Sequence, residues 1–414
     1  MWISATRKRA LRISPDGTSE RIQMPVSTST HRRGALKRLW RNIHLWLGIG
    51  LFILLVPVAL SGAILVYHDD IGEFMSTPRG AVAPSQPTDI ALAVDNARKA
   101  AGDGFVPLFI GFPENDRVPL TIALRGPAAK GERPVRLTAT IDRHDAHVIS
   151  IANFRNTFFG FMHVFHENLT IPNYGRSIVG WTGVAMLILS LTGLYLWWPR
   201  HGQWSRAFVW RRSPATSSNL HYMTGFWICF PLVLISLTGI YLAWPQQGRE
   251  LLSSVAPMTA QPQRGGGPGG QVMANPTRSP SEIFATASAR PNATVDAIFY
   301  PNQTGAWRVR LREEGKTEPV TIMINDRSGG ISVVQPLSGD RTASWIRWLH
   351  EGSHSGEVWR FVAFLSGIMP AVLGVTGILI WLRQRRQRAL IKNNRPHAAA
   401  NTAPRPVGDA APAE

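Results

Sequence analysis

The sequence predicts a membrane protein: an all-α bundle of four transmembrane helices, built as two tandem two-helix repeats, with two small α+β modules held outside the bilayer. Three observations predict it. The apolar residues bunch into four runs, at 44–67, 177–198, 222–244 and 361–382. Those runs match one another pairwise, and positive charge collects in the segments that one side of a membrane would hold.

The overall hydrophobic content of 44% is ordinary for a soluble chain, so the distribution decides. Each run has 22 to 24 residues with almost no charge, the length a helix needs to cross about 30 Å of hydrocarbon at about 1.5 Å per residue. In order, the chain divides into a basic tail (1–35, read as disordered through Thr30), the first transmembrane helix (36–67) and an outer module (68–160). A juxtamembrane segment with the second helix (161–198), a short loop (199–219) and the third helix (220–244) follow. The second outer module (245–344), a juxtamembrane segment with the fourth helix (345–382) and a tail (383–414, disordered from Asn393) complete it. The first apolar run follows some forty basic and polar residues and is too long for a cleavable signal, so it is expected to stay as an anchor.

Each outer module reads as a helix followed by strands. Residues 88–101 have helical spacing behind a Thr88-Asp89 cap, with strands near 118–125 and 135–142 and a turn at Asp142-Arg143-His144-Asp145. The second module has a helix near 280–289 and strands near 294–300, 306–312 and 319–325, closing at Asp326-Arg327-Ser328-Gly329-Gly330. The stretch 264–270 is a glycine-rich link that does not match a phosphate loop.

The net charge of +18 raises nucleic acid as a partner, and its placement argues against it. Segments 1–41, 199–219 and 383–414 hold 21 Lys and Arg against 4 Asp and Glu, while the two long segments between helices are near neutral. The positive-inside rule therefore predicts both termini and the central loop in the cytoplasm, with Arg200, Arg206, Arg211, Arg212, Arg383, Arg385, Arg386 and Arg388 facing lipid headgroups of the bilayer. The single cysteine, Cys229, excludes disulfides, Cys-based zinc, iron–sulfur clusters and covalent c-type haem.

The repeat picks out the chemistry. At an offset of 177, His44 falls on His221, Gly48 on Gly225, Ser61 on Thr238 and Gly62 on Gly239. At an offset of 184, His166 falls on His350, Glu167 on Glu351, Arg176 on Arg360, Gly183 on Gly367, Thr192-Gly193 on Thr376-Gly377 and Trp197 on Trp381. Both units enter the membrane from the same side, so their pseudo-twofold axis lies along its normal. His44 and His221 lie near the cytoplasmic ends of membrane helices, where an ionisable side chain is a functional candidate. Under a twofold they can face each other as two axial ligands of one haem iron; a histidine bonding a backbone carbonyl is the plainer reading. His166 and His350, just outside the membrane, can do the same for a second haem. His163 and His354 stand one turn away without counterparts and rank behind them. Glu167 and Glu351 can orient the imidazoles or only solvate. Arg176 and Arg360 can pair with haem propionates or reach to headgroups. The Ser-Gly and Thr-Gly pairs either let helices approach or make room for a flat cofactor. His31, His68, His144, His147, His201 and His397 lie in tails, turns or helix ends and suggest no site. One zinc ion cannot join two pairs a membrane apart.

These residues carry a resemblance over residues 36–390. Arg41-Asn42-Ile43-His44-Leu45-Trp46-Leu47-Gly48, Leu191-Thr192-Gly193-Leu194-Tyr195-Leu196-Trp197-Trp198-Pro199, Leu220-His221 and Leu349-His350-Glu351-Gly352 resemble the PepSY-associated transmembrane proteins, the group of iron-regulated membrane proteins and siderophore reductases. The outer modules resemble PepSY domains, although Ala146 stands where the first closing turn expects glycine. The resemblance implies a protein of the bacterial inner membrane with two haem b groups. It would reduce a ferric siderophore or other ferric chelate in the periplasm, supporting iron uptake. No Gly-x-Gly-x-x-Gly fingerprint is present, so the electron donor would be separate, a quinol or a cytoplasmic reductase. Two other classes compete: a non-redox scaffold whose PepSY modules bind or regulate a periplasmic partner, and a transporter of the chelate, whose helices would bend at Pro57, Pro231 and Pro370.

Overall fold

The computed structural model describes residues 11–13, 19–21, 28–75, 89–113, 118–127, 134–198, 209, 213–259, 272–273, 275–302, 305–315 and 319–393. Four helices are long and apolar enough to cross a bilayer: α1 (Thr28–Val66), α5 (Gly175–Trp197), α6 (Thr216–Ala243) and α10 (Glu357–Asn393). Three of them run on through an internal proline, at Pro57, Pro231 and Pro370. Both α1 and α6 pack against α5 and α10, so the helices form a ring with α1 and α6 on a diagonal. The apolar residues on the outside of that ring, such as Ile53, Trp181 and Trp227, are exposed as lipid-facing positions should be.

Outside the bundle the expectation of two separate modules is corrected. Helix α3 (Ile90–Ala101) and strands β3 (Val106–Gly111), β4 (Leu120–Arg125), β5 (Arg136–Ile141) and β6 (Val148–Asn153) form the first copy. The second copy has helix α8 (Pro280–Ser288) and strands β7 (Ala293–Phe299), β8 (Ala306–Glu313), β9 (Val320–Asn325) and β10 (Ile331–Val334). The two copies join through β3 and β7 into one antiparallel eight-stranded sheet, ordered β10-β9-β8-β7-β3-β4-β5-β6. At the junction Ile110 stands opposite Ile298. Each copy alone would leave β3 or β7 as an open edge, and pairing them satisfies both rows of backbone groups.

A single core lies between one face of this sheet and the two helices. Helix α3 buries Ile90, Ala93, Val94 and Ala97, the i, i+3, i+4, i+7 stripe, and starts at Asp89, which accepts from the N–H of Ala91 and Leu92. Helix α8 begins at the Ser279 cap with Pro280 in its first turn and buries Ile283 and Ala287. The two helices also touch, the Ala91 N–H donating to Ser281 Oγ at 3.0 Å. Trp307 is fully buried and donates to Asp326 at 2.9 Å. Asp326 also accepts from the N–H groups of Thr277 at 2.8 Å and Arg278 at 3.1 Å. Burial works to raise its carboxyl, and these hydrogen bonds outweigh burial and hold it below the ordinary range.

Short helices that the periodicity did not predict connect the layers. Helix α2 (His68–Met75) follows α1 and α7 (Pro245–Ser253) follows α6. Helix α4 (Phe158–Asn168) leads from β6 into α5, and α9 (Ser338–Glu351) leads from β10 towards α10. The two outermost strands of the sheet therefore feed the two short helices that carry His166 and His350. Near the N-terminus, strands β1 (Leu11–Ile13) and β2 (Ser19–Arg21) pair, so the expectation of a wholly disordered tail is corrected. The expected C-terminal tail beyond Asn393 and the glycine-rich link 264–270 fall outside the described residues.

Candidate functional site

Four histidines meet in two pairs, each pair drawn from both units. The ring centres of His44 on α1 and His221 on α6 are 6.4 Å apart, and those of His166 on α4 and His350 on α9 are 6.1 Å apart. An imidazole nitrogen binds a transition metal at about 2.0–2.1 Å, which puts two trans ring centres about 6 Å apart. The observed spacings match that geometry. His44 and Gly62 on α1 are 18 residues apart, as are His221 and Gly239 on α6, about 27 Å at about 1.5 Å per residue. Gly62 and Gly239 lie against the second pair, so the two pairs occupy opposite ends of the bundle.

Each imidazole is held at Nδ1 by a hydroxyl on a membrane helix of its own unit. Nδ1 of His44 lies 2.9 Å from Thr192 Oγ1 and Nδ1 of His221 lies 3.0 Å from Thr376 Oγ1. Nδ1 of His166 lies 3.2 Å from Ser61 Oγ and 2.8 Å from the Val58 carbonyl. Nδ1 of His350 lies 3.2 Å from Thr238 Oγ1 and 3.1 Å from the Ile235 carbonyl. The residue after each hydroxyl is glycine, and the ring lies on it: a Cβ would stand 2.7 Å from His166 Cε1 at Gly62, 2.9 Å from His350 Cε1 at Gly239, 3.2 Å from His44 Cε1 at Gly193 and 3.4 Å from His221 Cε1 at Gly377.

These contacts fix the tautomer. Each hydroxyl has one proton, and each spends it on a carbonyl of its own helix: Thr192 on Ile188 at 2.7 Å, Thr376 on Val372 at 2.7 Å, Thr238 on Leu234 at 2.9 Å and Ser61 on Val58 at 2.8 Å. The hydroxyl oxygen is left only as an acceptor, so Nδ1 must donate. For His166 and His350 a backbone carbonyl at the same nitrogen requires the same proton. All four rings are therefore placed to donate from Nδ1, which leaves Nε2 as the nitrogen that a neutral ring offers to a metal, the arrangement of a ligating histidine oriented by its other nitrogen. Burial holds the imidazoles of His166 and His350, on the short helices outside the spanning segments, below their ordinary value, that of His350 at about 4, so both are neutral.

The remaining predicted residues fall around the second pair. His163 packs edge-on to Phe154, ring centres 6.3 Å apart, and His354, at φ 52°, packs on Trp348 at 4.9 Å. Neither belongs to a matched pair. Glu167 pairs with Arg176 at 3.2 Å and Glu351 with Arg347 at 3.7 Å, so hydroxyls and carbonyls, not these carboxylates, orient the imidazoles. Arg176 donates to the Leu242 carbonyl of α6 at 2.9 Å; Arg360 donates to the Val66 carbonyl of α1 at 3.3 Å, pairs with Asp70 and stacks on Tyr67. Each arginine thus ties its helix to the C-terminal carbonyls of a helix in the other unit, where the helix dipole favours a cation. Asp142, Asp145 and His147 also converge at the β5–β6 turn, on partly or fully exposed side chains.

Ser61, Thr192, Thr238 and Thr376 were visible in the sequence only as small residues beside glycine. Their repeat-matched positions were the signal, and their partners lie 105 to 155 residues away. The donor set fits haem: four imidazoles held at Nδ1, in two facing pairs with ring centres 6.4 and 6.1 Å apart, with glycine beside every ring. A family model described as the PepSY-associated TM region matches residues 41–384. No curated protein matches the chain.

Proposed function

The chain belongs to the family of the PepSY-associated TM region, and from that premise we propose that it is a transmembrane electron-transfer protein with two b-type haems, acting in the bacterial inner membrane as a reductase of ferric siderophores or other ferric chelates. The observation that carries this reading is the meeting of the four repeat-matched histidines in two pairs, each ring held at Nδ1 by a hydroxyl. A scaffold has no use for two facing imidazole pairs at opposite ends of a bundle.

His44 and His221 would hold one haem near the cytoplasmic face, and His166 and His350 the other at the outer face. Bound there, the two groups would supply one-electron transfer between the faces. The chain's own residues orient the rings. The Thr and Ser hydroxyls hold each ring at Nδ1, and the glycines leave room beside it. Arg176 and Arg360 close the sheet end of the bundle by joining the units. A quinol or a cytoplasmic reductase would supply electrons. Reduction releases iron because hard oxygen chelators hold Fe(III) far more tightly than Fe(II).

The test uses the full chain purified from haem-replete cells, chemically reduced and mixed anaerobically with a ferric chelate. The expected result is reoxidation of the haem spectrum matched by Fe(II) trapped with a ferrous-specific chromophore. A haem-loaded protein that yields no Fe(II) from any ferric chelate would overturn the reductase reading.

A further inference from the structure

The duplication provides an internal control for every surface position. What the fold needs is filled alike in both copies, so a position filled differently is free to serve another purpose. Strand β4 pairs with β3 as β8 pairs with β7: Ile122 lies opposite Ile110, and Val309 opposite Ile298. The core-facing residues correspond, Leu120, Ile122 and Leu124 with Trp307, Val309 and Leu311, and all six are buried. Residues between them point to the other face of the sheet. Among the described residues no helix packs on that face, since α3 and α8 both lie over the core. There β4 presents Thr121, Ala123 and Arg125, whereas β8 presents Arg308, Arg310 and Arg312. The first copy shows that small neutral residues satisfy the fold at the first two positions.

Two of these arginines meet on one carboxylate. Arg310 and Arg312 both pair with Asp296, Arg312 at 3.1 Å. Arg308 forms no ion pair among the described residues and instead stacks over the Phe299 ring at 4.2 Å. Phe299 packs on Phe109 across the β3–β7 junction, ring centres 5.6 Å apart. Desolvation against the sheet, then the neighbouring Arg310, press the Arg308 guanidinium below its ordinary range, as expected of a cation whose neighbour is also a cation. Exposed guanidiniums beside flat aromatic surface suit a ligand with oxyanions and an organic rim.

We propose that the open face of the second module is a capture site for ferric chelates of net negative charge, those bearing carboxylate or catecholate groups, held by Arg308 and Arg310 over Phe299 and Phe109. The identity of the ligand as a ferric chelate rests on the reductase reading above; the preference for negative charge rests on the arginines. The same module leads through β10 into α9 and His350, so the capture site belongs to the unit that supplies an outer imidazole.

The experiment is equilibrium binding to the full chain in detergent, using gallium(III) citrate and gallium(III) catecholate as redox-inert anionic probes, a cationic gallium(III) hydroxamate, iron-free citrate, and vesicles of anionic lipid. The test variant replaces each arginine with the residue its own repeat carries, Arg308→Thr with Arg310→Ala. The expected result is that the anionic gallium chelates bind more tightly than the cationic one and than bare citrate. The double variant should weaken them roughly 10- to 100-fold with melting temperature and absorption spectrum unchanged. Added salt should weaken wild-type binding in the same direction. Equal binding by the double variant, tighter binding of the cationic chelate, or arginine-dependent capture by lipid vesicles with no chelate bound would each overturn the proposal. A colourless preparation that still binds anionic chelates through Arg308 would sink the electron-transfer reading and leave the capture site standing.

Discussion

In the bundle, each copy of the unit places one imidazole at each end and seats it on a hydroxyl and a glycine of its own companion helix. In the sheet, the two copies agree on the face covered by α3 and α8 and differ on the face left open. The difference separates two kinds of constraint. A site shared between two halves, as the proposed haem sites are, needs both halves to be chemically alike, and the bundle is symmetric down to single hydroxyls. A sheet needs only its core and its backbone pairing to be alike, which leaves its open face free to differ.

The comparison is broken most directly by removing an imidazole. His44→Ala and His166→Ala should each abolish one haem of two while sparing the other, read as haem absorbance per polypeptide falling by half. If either substitution removed both or neither, the two pairs would not be separate sites.

The next largest effect lies outside the membrane, where the matched carboxylates of the two closing turns differ. Asp326 is buried and accepts three hydrogen bonds, whereas Asp142 sits at a partly exposed turn and accepts from the His144 N–H. Asp326→Ala should cost the sheet about 3 kcal/mol and Asp142→Ala about 1 kcal/mol or less, by calorimetry. The Asp326 carboxyl is held below its ordinary range, so its contribution is full above about pH 4 and is lost as pH falls through the lower folded-state value. Sheet melting in Asp326→Ala should therefore show a weaker loss on acidification than wild type.

A graded series follows from the glycines. Alanine at Gly62 or Gly239 would place Cβ 2.7 or 2.9 Å from an imidazole carbon, against 3.2 Å at Gly193 and 3.4 Å at Gly377. The second pair should accordingly lose its haem on a single Gly→Ala change, while the first pair keeps its haem with a shifted spectrum. Smallest of all, Thr192→Val and Ser61→Ala should leave both haems bound. With the hydroxyl gone, the reduction potential and low-spin resonance of the matching centre alone should move, as expected when the group orienting a ligand is lost.

The sequence made the bundle legible because a membrane helix announces itself in about twenty consecutive residues and the duplication marks which of its polar residues matter. It made the four histidines legible for the same reason. The joined sheet was hidden because β3 contains Pro107, which reads against a strand, and because its pairing with β7 spans about half the chain. Strand β10 was hidden by its shortness and exposure. The hydroxyl partners were hidden by distance: Thr192 is 148 residues from His44, and nothing local to either one signals the other. Arg308 and Arg310 stood in a recognisable strand, but only the structure shows which face they occupy and that no helix among the described residues packs on it.

The central claim is that both histidine pairs are haem ligands, and its most direct test is the number of b-type haems per polypeptide in the purified full chain, measured by conversion to the pyridine complex. The account predicts two, each low-spin with two imidazole ligands by electron paramagnetic resonance. A colourless protein, or a single haem that survives replacement of His44, His221, His166 and His350 in turn, would contradict it.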